Sequence, residues 1–259
     1  MSTIAAVEHL LRATAKAEAR HFWFRGFRAF VTPLIHSALA GRTNPLLLDC
    51  GCGTGANVEI LSAYGRAFGF DLSATGLHLG REAGRTRLAR ASVVAAPFPS
   101  ARFDLVTSFD VLYALDDEPE RAAIAEMFRL LKPGGYTIVN VAAMNILRGD
   151  HSVLGHEVRR FSRGELRAHL EAGGFEIVRL TYTNASIFLP LAVVRTIQRG
   201  RGLRGETEAA DSDIRVPPEP INAVMSAVMQ VEAAWIRRFD APFGSSLLCL
   251  ARKPGSQPG

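Results

Sequence analysis

The stretch that most constrains this chain is Leu46-Leu-Leu-Asp49-Cys50-Gly51-Cys52-Gly53-Thr54-Gly55, an apolar run that passes straight into alternating glycines and then into a helical pattern over 56–64. An unbroken apolar run suits a strand covered on both faces, and such strands belong to parallel sheets with helices above and below. Glycines at the turn let the backbone approach a ligand closely and leave the N–H groups of the next helix aimed at it. Twenty residues after Gly51 a second predicted strand ends in Gly69-Phe70-Asp71-Leu72-Ser73, so Asp71 stands at a strand tip, where a carboxylate accepts from both hydroxyls of a ribose.

The rest of the chain repeats this alternation. Apolar runs at 66–71, 91–95, 103–109 and 136–142 read as strands, with a helix over 119–131 ended by Lys132-Pro133-Gly134-Gly135 and another over 163–172 ended by Gly173-Gly174. Residues 175–182 and 246–252 read as a sixth and a seventh strand. The expected fold class is α/β, a three-layer, Rossmann-like, doubly wound seven-stranded sheet. Residues 1–44 read as an N-terminal helical cap, and 45–183 with 245–259 as the core domain. Residues 184–244 read as a helical insertion, with helices over 187–198 and 221–239 around a loop at 200–220 expected to be mobile. The insertion is either a lid, roofed by Ile187, Phe188, Leu189, Met225 and Trp235, or the face of a homodimer.

Charge and cysteine content exclude several classes. Only Lys16, Lys132 and Lys253 among the 30 basic residues are lysine, and the arginines are scattered among acids. The formal charge of +5 is therefore not a nucleic-acid footprint, and no nucleic-acid partner is expected. Cys50, Cys52 and Cys249 are odd in number, and the C-x-C pair is too close for an ordinary disulfide or a four-ligand metal set. They read as small apolar fillers in a reducing cytoplasm, with no metal. The first twenty residues carry no signal-peptide pattern. The apolar run at 185–194 contains Pro190 and falls short of the ~20 residues of a membrane span, so none is expected.

The cofactor follows from the details of the turn. A dinucleotide site reads G-x-G-x-x-G; here the spacing is Asp-x-Gly-x-Gly-x-Gly with Ala56 in the last place, which still passes the looser dinucleotide pattern. Asp49, however, repels a pyrophosphate and accepts from the ammonium of an amino-acid-bearing nucleoside, so a cationic, phosphate-free cofactor is favoured. At this point the chain resembles the S-adenosylmethionine-dependent class I methyltransferases, in particular their small-molecule, type 11 group. The likeness rests on five segments in order: residues 46–55, 69–73, 96–106 (APFPSARFDLV), 108–120 (SFDVLYALDDEPE) and 129–135 (RLLKPGG).

The resemblance implies S-adenosyl-L-methionine as cofactor and a last strand antiparallel to the rest. It implies that Asp49, Gly51, Cys52, Gly53 and Gly55 line the methionyl half, that Asp71 with Leu72 holds the ribose, and that the backbone near Ser108 and Phe109 flanks the sulfonium. Two positions depart from it. The acid expected against the adenine amine is Ser92, and the histidine expected after the fourth strand is Ala114, so no catalytic residue carries over. The implied reaction is methyl transfer to a small, apolar or aromatic metabolite, with oxygen, nitrogen or carbon as acceptor atom left open. The alternatives are an NAD(P)-dependent oxidoreductase, disfavoured by Asp49 and by the lack of Tyr-x-x-x-Lys, and a nonmethylating binder of the same cofactor.

An acceptor that must lose a proton needs a base. Tyr113 at the strand-four rim and His151 or His156 beyond the fifth strand are the candidates, set against a packing aromatic and solvated loop histidines. The aromatic segment His21-Phe22-Trp23-Phe24-Arg25 reads partly as a hydrophobic staple; in the resembling family an N-terminal helix caps the cofactor pocket, which implies that Phe22, Trp23 and Arg25 touch the methionyl end or the acceptor, with Arg25 on the cofactor carboxylate. Arg159 and Arg160 read as surface or interface charges rather than clamps for an acidic substrate.

Overall fold

The computed structural model describes residues 3–147, 157–200 and 215–255. Among them run α1 (Thr3–Ala17), α2 (Phe22–Leu39), β1 (Leu46–Cys50), α3 (Ala56–Ser62), β2 (Arg66–Asp71), α4 (Ala74–Glu82), β3 (Leu88–Arg90) and β4 (Phe103–Phe109). There follow α5 (Asp117–Leu130), β5 (Leu131–Ala142), α6 (Arg163–Ala172), β6 (Glu176–Thr183), α7 (Phe188–Gly200), α8 (Glu219–Ile236) and β7 (Ser246–Arg252). The seven strands form one sheet in the order β3-β2-β1-β4-β5-β7-β6, parallel except for β7, which runs antiparallel to both its neighbours.

Because strand side chains alternate between faces, Leu47 and Leu105 point into one apolar layer and Leu48 and Val106 into the other. The first layer lies under α2, α3, α4 and α8, the second under α5 and α6. The chain reverses its winding between β1 and β4. Register there sets Asp49 beside Gly69 of β2 on one side and Thr107 of β4 on the other. In sheets of this kind the crevice outside the carboxyl ends of the strands at such a reversal is where ligands bind.

Two elements differ from the sequence reading. The third strand is Leu88–Arg90, paired with Gly69–Asp71, and residues 91–95 form a turn instead. The Ser92 hydroxyl accepts from Val94 N–H (3.4 Å), and Ala95 N–H donates to the Ser92 carbonyl (3.1 Å), a local alternative that outcompetes the ladder. Lys132-Pro133-Gly134-Gly135 does not separate α5 from the fifth strand but bulges out within it, since Leu131 pairs with Phe103 and Tyr136 with Leu105.

The insertion is built into the first layer. Asn222 of α8 accepts from Phe22 N–H (2.8 Å) and donates to the Arg20 carbonyl (2.9 Å), so it ties down the start of α2. Glu232 accepts from the N–H groups of Ala185 (2.7 Å) and Ser186 (2.9 Å). Gly26 of α2 permits the close crossing, as a Cβ there would lie 2.3 Å from Met229 Cε. Of the residues expected to roof a pocket, Ile187 is buried in the first layer and Met225 packs against it, whereas Trp235 faces outward and stacks on Phe239. The Leu189 side chain and residues 201–214 of the expected loop lie outside the described set.

Candidate functional site

The glycine turn closes around main-chain bonds that only this backbone can make. Gly51 has φ 78°, and a Cβ on it would lie 2.4 Å from Val111 Cγ2. The N–H groups of Gly51 and Cys52 both donate to the Phe70 carbonyl (2.9 and 3.0 Å), and Gly55 enters α3 in the left-handed conformation. Asp71 locks this turn to the next one. Its Oδ2 accepts from Gly53 N–H (2.8 Å) and its Oδ1 from Ser73 N–H (2.7 Å), while Ser73 caps α4. Leu72, beside it, is 64% exposed, an apolar side chain held out over the carboxyl edge.

Asp49 is the electrostatic centre of the edge. It is 1% exposed; its Oδ1 accepts from the Thr107 hydroxyl (2.6 Å), and its Oδ2 is buried without a hydrogen-bond partner. Burial pushes its carboxyl up to about 7; the Thr107 hydroxyl holds it down in part, and the neighbouring Asp71 charge raises it again. The Asn57 amide tempers the shift slightly without completing a hydrogen bond to Oδ2. A buried carboxylate oxygen left bare beside a glycine turn fits a cationic donor such as an α-ammonium and opposes a pyrophosphate.

Helices α1 and α2 cover this edge. A Cβ on Gly53 would lie 3.3 Å from Leu11 Cδ2, so α1 lies directly on the turn. Buried Glu18 accepts from the Thr54 hydroxyl (2.6 Å) and pairs with Arg85 (2.6 Å), which also donates to the Thr54 carbonyl (3.1 Å). From α2, Phe27 meets Phe109 edge-on, with ring centroids 5.0 Å apart. Trp23 packs against the same apolar layer, and its N–H donates to His21 Nδ1 (3.1 Å). Arg25 is half-buried; its backbone N–H donates to the His21 carbonyl (3.3 Å), and its side chain makes no hydrogen bond or ion pair among the described residues.

Beyond Phe109 the structure corrects two expectations and adds a residue. Tyr113, expected at the rim, is buried in the second layer, and that burial drives its hydroxyl well above 10. A phenolate base is thereby disfavoured, and Tyr113 serves as packing. Its carbonyl accepts from the N–H groups of Val158 (3.0 Å) and Arg159 (3.2 Å). The two arginines, expected as surface or interface charges, are engaged by carboxylates of the same chain. Arg160 is buried and grips Glu157 through two bonds of 2.8 Å while donating to the Ala143 carbonyl (3.0 Å); Arg159 pairs with Glu120 (3.1 Å) and Asp117. A guanidinium can be buried only against a matched carboxylate, and Glu157 and Glu120 supply it.

Asp110 is the residue that the sequence reading missed. It is exposed at the end of β4, its φ is 60°, and it is held by Asn140, whose Nδ2 donates to Asp110 Oδ1 (2.9 Å) and whose carbonyl accepts from Asp110 N–H (3.0 Å). Left-handed backbone at a non-glycine residue beside a ligand edge is a recurrent mark of functional sites. The available signal was Asn140, a polar residue inside the apolar run 136–142.

The remaining candidates are readily placed. Ser92 lies two residues past β3, with its hydroxyl engaged in its own turn. His151 and His156 lie outside the described residues. Cys50, Cys52 and Cys249 are buried free thiols; burial raises Cys52 and pushes Cys249 up to about 12, which leaves them inert. Lys132 pairs with Asp104 (2.8 Å) at the amino edge of the sheet, the end opposite the glycine turn, where it cannot serve hydride transfer. Among the described residues no cluster of three or more His, Cys, Asp or Glu could hold a metal ion, and no helix is long and apolar enough to cross a membrane.

Comparison with known proteins agrees with this geometry. Residues 48–139 match the methyltransferase domain family. A Mycolicibacterium smegmatis protein named as an S-adenosylmethionine-dependent methyltransferase is 29% identical over 161 residues, 61% of this chain and 60% of the relative. The chain spans less than two thirds of the curated relatives it matches. Among solved structures, a Haloferax volcanii methyltransferase in complex with the activator Trm112 superposes with a TM-score of 0.57 at 18% identity, covering 96% of each chain. The [4+2]-cyclase SpnF does so with a TM-score of 0.57 at 22% identity, covering 88% of this chain and 81% of its own. At such identities the likeness is one of fold.

Proposed function

Since the chain carries a class I S-adenosylmethionine-dependent methyltransferase domain, we propose that the protein transfers a methyl group from S-adenosyl-L-methionine to a small apolar or aromatic acceptor. The observation that carries the cofactor side is Asp49, whose bare, buried Oδ2 suits an α-ammonium. In this reading Asp49, Gly51, Cys52, Gly53 and Gly55 hold the methionyl half, Asp71 and Leu72 the ribose, and Ser92 the adenine edge. Arg25 remains the candidate for the cofactor carboxylate.

When bound, the cofactor supplies a methyl group already activated on a sulfonium, so the chain's task is alignment and exclusion of water. Phe109 and Phe27 form an apolar wall at the end of β4, which supports an apolar acceptor. Asp110, fixed by Asn140, is the carboxylate placed to orient the acceptor or take its proton. Residues 1–44 and 184–244 supply selectivity, since they lie outside the segments that define the cofactor site.

The test is release of S-adenosylhomocysteine on incubation with S-adenosylmethionine and panels of phenols, aromatic amines and fatty acids, beside tRNA and cell protein. Turnover confined to a small acceptor supports the proposal. Turnover only with RNA or protein contradicts it, and cofactor binding without any S-adenosylhomocysteine release moves the chain to the nonmethylating class.

A further inference from the structure

Helix α8 is apolar on two faces. Its inner seam, Asn222, Ser226, Met229, Ala233 and Ile236, is buried in the first layer, where the helix packs on α2. Its outer seam, Ile221, Val224, Val228, Val231 and Trp235, repeats at alternating steps of three and four residues and stands in solvent, with Val224 63% and Val231 71% exposed. A helix apolar all round is normally buried all round, and the three-four step is the spacing of a helix–helix seam.

We propose that this outer face binds a second copy of the same chain, with the two α8 helices packed antiparallel about a two-fold axis at Val228. In that register Ile221 meets the partner's Trp235, Val224 falls beside the partner's Val231, and Val228 meets itself, the self-complementarity a two-fold interface requires. The charges agree. Between Ile221 and Ile236 the exposed positions of α8 carry no ionised side chain, so nothing on the seam repels a second copy. Ala223, Ala227 and Ala234 flank the seam and let two helices approach closely.

The area is also adequate. With Phe239, which stacks on Trp235, continuing the patch, the exposed apolar side chains offer on the order of 600 Å² per protomer, the lower end of the roughly 600–1,000 Å² per partner of a stable interface. A lipid surface is the less suited occupant, because the flanks of the seam carry alanine where membrane-surface helices carry Lys and Arg.

Sedimentation velocity on the full chain tests this. The wild type is expected at twice 28.1 kDa. Val228→Glu, which sets two carboxylates face to face on the axis, is expected to sediment as a monomer with an unchanged thermal melt and unchanged S-adenosylmethionine affinity. Gln230→Glu, a charge on the same helix but off the seam, is expected to leave the dimer intact. A wild type that stays monomeric at its highest soluble concentration overturns the proposal, whether it floats with anionic vesicles or not. So does a Val228→Glu dimer.

Discussion

Asp49→Asn is expected to make the protein more stable and worse at binding its cofactor. The native carboxyl titrates at about 7 against an ordinary 3.8, because it is fully buried with one oxygen bare. Between these values the native state keeps a proton that the unfolded chain has released, so stability falls by about 1.4 kcal/mol per pH unit as pH rises. The penalty is absent below about pH 4 and complete above about pH 7, where it sums to about 4 kcal/mol. Asparagine preserves the volume and the bond from Thr107 and cannot ionise. It should therefore stabilise the protein by about 2.7 kcal/mol more at pH 8 than at pH 5, read as the shift in urea midpoint at constant m-value. Calorimetry at pH 8 should show S-adenosylmethionine affinity falling about 10- to 100-fold, the worth of one charge-assisted hydrogen bond. An equal stability change at both pH values, or a loss at pH 8, refutes the account of Asp49.

Three further perturbations probe the same edge. Gly51→Ala forces a side chain onto φ 78° and into Val111, and should cost about 3 kcal/mol, a fall in Tm of roughly 6–12 °C. Glu18→Ala removes the buried anchor of α1 on Thr54 and Arg85; it should destabilise by about 3 kcal/mol and open the first twenty residues to limited proteolysis. Asp110→Ala, in contrast, should lower kcat about 100-fold and leave S-adenosylmethionine affinity within about 2-fold. An unchanged kcat removes Asp110 from the reaction.

Much of the fold was legible because parallel strands announce themselves. The runs at 46–49, 66–71, 103–109 and 246–252 fall on strands β1, β2, β4 and β7, and the antiparallel seventh strand came with the family resemblance. The third strand was misplaced because Leu88-Ala89-Arg90 is too short and polar to stand out, while Ser92 turned the more apolar run after it into a local bend. The places of Asp49 and Asp71 at the ends of β1 and β2 were readable from the strand-turn pattern. Glu157, Arg160 and Asn140 were not, because a charge looks like surface until its partner is known, and those partners lie on other elements or depend on burial that a linear pattern does not encode. Trp235 was assigned to a roof for the converse reason: an apolar side chain looks like core, and periodicity does not say which of two apolar faces turns inward.

The central claim is that a bare carboxylate at the end of β1 selects a cationic nucleoside over a dinucleotide. Native mass spectrometry of the full chain with S-adenosylmethionine and NAD in equimolar competition tests it most directly. One S-adenosylmethionine per chain with no NAD adduct is the predicted spectrum, and an NAD adduct, or none for S-adenosylmethionine, would contradict it.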